Sequence, residues 1–393
     1  MSSHELGQHW HSIIVGAGAA GLFCAGSFAA PKLVLEHNAL PGKKLAVTGG
    51  GKCNFTNMYV SASDYVSRQK HFCKSALSAF KPQDFIRLLE EQKIPFYEKE
   101  AGQLFAYQAK EIVSLLDKRA RQKNTTFSYN TQVLSVAQDK NGFKVQTSKG
   151  IFYTENLVIA TGGLSYPALG AGGFSAQAAR SFNIDVVEQR PALVGLRAPE
   201  PVRTICKTLA GNSMTAQVKV GKHLQTGQLL FTHDGFSGPV ILQSSLFWQE
   251  GEKIFINFLP TINVETFLKE NKNSPDLFSK ILSSFLPVKF TKNWLAHSDV
   301  CAANAKKESL LEAAKKINCF EFIPSGTAGF TRAEVTAGGA DCAAFNPTTF
   351  EHKKISGLFF IGEALDVAGR LGGYNLHWAW ASAHACAKAL QKK

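Results

Sequence analysis

Charge is scarce in this sequence, and it does not come in blocks. Only 19% of the 393 residues are Asp, Glu, Lys or Arg, against about a quarter in ordinary soluble chains. The excess is basic, with a formal net charge of +13, yet the longest basic runs are pairs such as Lys43-Lys44 and Lys306-Lys307. Nucleic-acid binders usually cluster such residues among aromatic platforms. The charge therefore reads as a solvated surface able to attract small anionic ligands, and a small-molecule substrate with no nucleic-acid partner is expected. The eight cysteines include no C-x-x-C pair and no His/Cys group at zinc spacing, which excludes the common metal sites and leaves reduced, buried thiols. No segment supplies the roughly 18 apolar residues needed to cross a bilayer. Residues 13 to 30, IIVGAGAAGLFCAGSFAA, resemble a signal-peptide core, but no lysine or arginine precedes them and their glycines have a better use. A soluble, cytoplasmic protein with no membrane partner is expected, its oligomeric state left open. Internal repeats and low-complexity tracts are also missing.

What is present is a globular composition, 45% hydrophobic, with 33 glycines that imply many tight backbone approaches. The length allows two domains. Ser12 to Val15 reads as a strand, Ala19 to Ala29 as a small-residue helix and Lys32 to Glu36 as a second strand, a βαβ opening. Pro82 to Gln92 and Lys110 to Lys123 have helical periodicity. Phe127 to Gln146 alternates as hairpin strands around Lys140-Asn141-Gly142, and Asn156 to Ala160 is a buried strand. Prolines 191, 199 and 201 open a region of short strands, followed by helical stretches near 263 to 287 and 304 to 317, which reads as an inserted domain. Gly357 to Ile361 is again a strand, and Asn375 to Lys388 an apolar helix. The expected division is 1–189, 190–330 and 331–393, the outer two forming one domain.

Four glycine-rich stretches carry the chemistry. Gly16, Gly18 and Gly21 form G-x-G-x-x-G between strand and helix, with Ala19 and Ala20 opening the helix and Glu36 closing the next strand twenty residues after Gly16. That pattern fits a pyrophosphate on the helix N-terminus and ribose hydroxyls on the carboxylate. Ala160 ends the strand NLVIA and Thr161, Gly162 and Gly163 follow it, a glycine pair that fits backbone passing close to a nucleotide and equally a plain strand-end turn. Gly362 and Glu363 follow a strand end, and Gly372, Gly373, Tyr374, Asn375 and Leu376 start a helix whose N–H groups can face an electron-accepting ring. The fourth, AVTGGGKCNFTN at 46 to 57, lacks the G-x-x-x-x-G-K-[ST] spacing of a triphosphate loop, because cysteine follows the lysine. Pieces from both chain ends reaching for one long ligand favour FAD over NAD.

The sequence resembles the bacterial aminoacetone-oxidase-like FAD-dependent flavoproteins, distant relatives of the fumarate reductase flavoproteins and similar to a bile-acid steroid-ring reductase. GAGAAGL, GKKLAVTGGGKCNFTN, GQLF at 102 to 105, ATGGLSYPALGAGG, FTHDGFSGPVIL, AEVTAGGA and GLFFIGEALDVAGRLGGYNLHWAWASA carry the resemblance. It implies an α/β, Rossmann-like FAD-binding domain formed by both chain ends, with an inserted β-barrel and helical portion. Lysine stands at 43 and 52 where the family commonly has arginine, which keeps the charge but loses the planar fork. Lys44, Thr48, Gly49, Gly50, Gly51, Cys53, Asn54, Thr56 and Val133 complete the expected cofactor set.

The expected activity is an FAD-dependent oxidoreductase passing hydride through flavin N5 between NAD(P)H or a small organic substrate and an acceptor. The alternative is a flavin-carrying sensor without turnover. His233, Tyr374 and Cys53 are the candidate catalytic residues, each weighed against plain packing or loop hydrogen bonding. His377 and His384 share a helical face and read equally well as packing. Residues 170 to 188 imitate a second fingerprint but lack G-x-G-x-x-G, so NAD(P)H is expected only as a transient visitor. Gly235-Phe-Ser237-Gly-Pro239 fails the nucleophile-elbow pattern at its last position.

Overall fold

A computed structural model describes residues 8–393. The chain forms two compact units, one made from both chain ends and interrupted between Pro191 and Glu334, the other comprising Ala192–Ala333.

In the first unit, Gln8–Val15 lies parallel to Lys32–Leu35 on one side and to Gly150–Ile159 on the other, and Thr125–Ser128 extends the sheet beyond Lys32–Leu35. Strands covered on both faces read as unbroken apolar runs, and Leu33, Val34 and Leu35 are all buried. Gly150–Ile159 is long enough to serve two partners. Its first half pairs antiparallel with Gly142–Thr147, which continues the hairpin to Val133–Asp139, while Leu157 to Ile159 pair parallel with Leu358–Phe360. The C-terminal strand thus enters the same sheet as the N-terminal βαβ unit, a Rossmann-like arrangement.

The first helix is shorter than its small-residue run predicts. It spans Ala19–Ala25 and stops at Gly26, where a β-carbon would press on Arg119 at 3.1 Å. The last helix, Tyr374–Leu390, is buried along most of its length and packs on the first. Phe85 stacks on Trp380 at 4.7 Å. Phe174–Ser181 is a short helix leading to Val186–Ala192, which pairs with Val335–Ala340 in a separate two-stranded sheet. Among the described residues, no second parallel nucleotide-binding sheet follows it.

The second unit is built on a seven-stranded sheet in the order Phe320–Phe322, Ile254–Asn257, Ser213–Val220, His223–Thr232, Gly235–Ser237, Leu196–Arg197, Gly326–Thr327. The expected barrel is not closed. Its two edge strands are consecutive in the chain, but no ladder joins them among the described residues. The core is aromatic, with Phe258 and Trp294 5.0 Å or closer to their neighbours Phe290 and Phe320 respectively.

Candidate functional site

The site is assembled where strand ends of the first unit meet loops that return from far along the chain. Gly16 N–H donates to Leu35 O at 2.8 Å and Ala160 N–H to Val15 O at 2.9 Å, locking the tips of three strands together. The glycines of the fingerprint then separate by role. A β-carbon on Gly21 would lie 1.9 Å from Gly16 O, and one on Gly16 would lie 2.7 Å from Ala160 O, so the chain itself requires both. A β-carbon on Gly18 would meet nothing within 4 Å. Its φ of -80° is open to any residue, so the reason for glycine there is space for something that is not protein.

Glu36 is buried and fixed by its own loop. One oxygen accepts from Ala17 N–H at 2.8 Å, the other from Asn38 N–H and the Asn38 amide at 2.9 Å. Oε2, with a single donor, retains a lone pair for a hydroxyl, whereas Oε1 already takes two. Val133 is half-buried at the start of the neighbouring hairpin. Gly170, in the glycine run 170 to 173, abuts His37, so that run packs against the loop following Glu36.

The glycine loop has more shape than its composition suggests. Thr48–Gly51 is a single helical turn with Gly49 and Gly50 left-handed (φ 58° and 67°), and Asn54–Asn57 is a strand paired with Gln103–Ala106. Nothing lies within 4 Å of a β-carbon built on Gly50 or Gly51, whereas one on Gly49 would meet the Phe105 ring at 3.1 Å. Buried side chains tie this segment to the C-terminal block. Thr56 Oγ1 bonds His377 Nδ1 at 2.8 Å, the Asn57 amide donates to Gly372 O at 3.1 Å, and Trp380 Nε1 donates to Phe55 O at 2.8 Å. With its amide oriented by its partners, Asn54 accepts from Gly373 N–H at 3.1 Å. Gly373 itself leaves no room for a β-carbon, which would sit 2.3 Å from Thr56 O. These contacts give Thr56 and Asn57 positioning work within the protein.

Glu363 is held from two sides, by Thr336 N–H at 2.7 Å and Lys44 Nζ at 3.0 Å. Thr336 Oγ1 in turn accepts from Leu164 N–H at 2.8 Å, and a β-carbon on Gly163 would lie 2.5 Å from this threonine. Gly163 is thus demanded by packing, while the neighbouring Thr161 hydroxyl is buried with no hydrogen-bond partner. Gly362 is anchored through Ser382 Oγ and Trp378 Nε1, both at 3.0 Å.

Of the catalytic candidates, Cys53 is fully buried and burial pushes its thiol up to about 12, so no thiolate forms there at neutral pH. Tyr374 is half-buried at the start of the last helix, and burial raises its phenol above the ordinary value. Asn375 closes the preceding loop through Gly369 N–H at 2.8 Å. Leu376 follows in the same first turn. His233 lies in the second unit, on the exposed turn between His223–Thr232 and Gly235–Ser237. His377 is buried, and desolvation pushes it down to about 4. Thr336, Trp378, Trp380 and Ser382 escape a motif reading because they act through ordinary packing positions. Their signals are AEVTAGGA for Thr336 and HWAWAS on one helix for the other three.

The donor set fits FAD. Open backbone lies at Gly18, Gly50 and Gly51, Glu36 has carboxylate capacity left, and the Thr161 hydroxyl lacks a partner. The described residues contain no group of three or more His, Cys, Asp or Glu able to hold a metal, and no described helix is long and apolar enough to cross a membrane.

Comparison with known proteins places this geometry. The profile of the HI0933-like protein Rossmann domain matches residues 10–389. A protein named ribosomal RNA dihydrouridine synthase from Escherichia coli is 40% identical over 98% of this chain and 98% of its own. One of the same name from Haemophilus influenzae is 40% identical over 99% and 100%. A 3-dehydro-bile acid delta(4,6)-reductase from Clostridium scindens is 27% identical over 97% and 98%. Two expectations are corrected. The relatives are not named aminoacetone oxidases, and relatives named for ribosomal RNA overturn the absence of a nucleic-acid partner. The lack of basic runs was a weak ground for that exclusion, because charge scattered along a chain can still share one face once it folds.

Proposed function

Because the chain belongs to the HI0933-like Rossmann family of FAD-binding proteins, we propose that it is an FAD-dependent reductase that converts uridine in ribosomal RNA to dihydrouridine. The observation that carries this reading is a cradle of open glycines and unspent polar groups fitting FAD, in a chain alike end to end with relatives named for that product. Dihydrouridine differs from uridine by two hydrogens across the C5–C6 bond, so the base gains a hydride at one carbon and a proton at the other.

When bound, FAD supplies the hydride. The chain's residues bind, orient and protonate. The backbone at Gly18 and the first-helix N-terminus hold the pyrophosphate, and Glu36 accepts ribose hydroxyls. Gly50 and Gly51 would leave room for the ring. N–H groups at Tyr374, Asn375 and Leu376, with the helix dipole, would stabilise negative charge on the bound cofactor. Glu363, fixed by Lys44 and Thr336, accepts hydroxyls of the cofactor chain. Tyr374, whose phenol stays protonated across the neutral range, is the proton donor to the base. NAD(P)H would be the external reductant, a role that requires no second nucleotide-binding sheet.

The test is anaerobic incubation of the flavin-loaded protein with NADH or NADPH and ribosomal RNA lacking the modification. The expected result is nucleotide oxidation matched by uridines that gain two hydrogens by mass spectrometry. Flavin reduction only by an amine or hydroxy compound, with RNA unchanged, would sink the reading.

A further inference from the structure

We propose that a run of aromatic rings leading from the glycine loop to solvent is a stacking subsite for an unpaired base flanking the uridine to be reduced, which rests on the RNA-reductase reading above. Phe105 is buried, and its ring edges the loop at Gly49, where a β-carbon would lie 3.1 Å from Cε1. Tyr97 faces Phe105 directly across the antiparallel pair Phe96–Glu98 and Gln103–Ala106. Their rings stack with centroids 5.8 Å apart and planes 20° apart. Tyr107 follows 5.0 Å from Tyr97 and is 56% exposed. The three rings step outward from the loop, and the last has an open face.

An ordinary core cluster would be covered at its outer end, and this one is not. Its surroundings suit a polyanion. Ala106 N–H donates to Cys53 O at 3.2 Å, so Tyr107 leaves the sheet beside exposed Lys52, and exposed Lys110 follows in the next helical turn. Lys99 Nζ stands 5.9 Å from the Phe105 centroid. Glu98 accepts from Gly102 N–H at 3.0 Å and Glu100 pairs with Lys99 at 3.9 Å, which leaves Lys52 and Lys110 as the positive charge offered to a phosphate. Reduction of a base requires it to leave its stack. A neighbouring base then loses a stacking partner, and an exposed tyrosine platform replaces it irrespective of sequence.

The experiment measures anisotropy of a short fluorescein-labelled oligouridine with the flavin-loaded protein. Tyr107→Ala is expected to weaken binding about tenfold, with flavin content unchanged. Tyr107→Phe, which keeps the ring, is expected to bind like the wild type. An already stacked RNA duplex should bind the wild type and Tyr107→Ala alike. Equal oligouridine affinity in wild type and Tyr107→Ala overturns the subsite, as does equal loss in Tyr107→Phe, which would point to the hydroxyl. If the wild type reduces ribosomal RNA and Tyr107→Ala does so with unchanged KM, the subsite fails while the reductase reading stands. If the wild type neither binds oligouridine nor reduces RNA, both fail.

Discussion

The loop at Gly16–Gly21 and the loop at Thr48–Lys52 are both glycine-rich and both belong to the proposed cofactor cradle, yet they are held by different forces. The first is fixed by backbone. Strand tips exchange hydrogen bonds at 2.8 to 2.9 Å, and two of its three glycines exist to let main chain touch main chain. The second is fixed through the strand that follows it, by side-chain bonds across more than three hundred residues to the last helix and the loop before it, through Thr56, Asn57 and the indole of Trp380. Each loop nevertheless contains glycines that no protein atom requires, Gly18 in one and Gly50 and Gly51 in the other. A glycine-rich stretch therefore mixes positions demanded by folding with positions left open for a ligand, and substitution separates the two.

The largest effect is expected at Gly21. A methyl 1.9 Å from a backbone oxygen cannot be relieved by rotating a side chain, so Gly21→Ala should cost more than about 4 kcal/mol, the range of severe core overpacking. Urea denaturation, or simply the yield of soluble protein, reads this out. A Gly21→Ala protein of wild-type stability would mean that the first loop is not fixed by backbone contact.

The next effect distinguishes the loops by pH. His377 Nε2 faces Phe80 O at 3.2 Å, a carbonyl that can only accept, so Nε2 carries the proton and Nδ1 accepts from Thr56. Its folded value of about 4 lies below the ordinary 6.5, through burial, with Asp84 opposing weakly. The unfolded chain thus binds more protons than the folded one between those values. Stability is full above pH 6.5 and falls as pH drops toward 4, by up to about 3 kcal/mol. Urea midpoints of wild type minus His377→Gln across this window isolate the contribution from other acids. A difference that does not change with pH would show that His377 carries no such penalty.

The two loops also differ in how far the sequence revealed them. The fingerprint was legible because its spacing and flanking strand and helix are local, and Glu36 follows at a fixed distance. The division into a domain of both chain ends and an insert was expected from the prolines near 191, the returning strand pattern and the resemblance, whereas the open edge of the inserted sheet was not, since even edge strands that are neighbours in the chain pair or stay apart according to the three-dimensional course of the sheet. The shape of the second loop was illegible for the same reason. Nothing near Thr56 announces that its hydroxyl is satisfied by His377, and nothing near Gly163 announces that Thr336 packs behind it. Tyr97, Phe105 and Tyr107 are unremarkable in sequence and become a platform only when the hairpin brings them into line.

Gly50→Ala should have a smaller effect. Nothing obstructs its methyl, but φ is 67°, and a left-handed alanine costs about 1–2 kcal/mol. A modest fall in the urea midpoint is expected, together with weaker flavin retention because the methyl enters open space. A fall of the size expected for Gly21→Ala would mean that the second loop is sterically packed after all.

The smallest effect on stability should come from the substitution most damaging to the cofactor. Gly18 has an ordinary φ of -80° and empty space where a side chain would go, so Gly18→Val loses only the preference for glycine at a helix N-cap, about 1 kcal/mol. The branched side chain then occupies the space assigned to the pyrophosphate. The purified variant should unfold close to the wild type in urea when both are stripped of flavin, yet retain little or none after purification, as read by absorbance and by FAD released on denaturation. Unchanged flavin content would place the pyrophosphate elsewhere and remove the distinction between glycines that serve the fold and glycines that serve the ligand. Lost flavin accompanied by a large drop in stability would remove it from the other side.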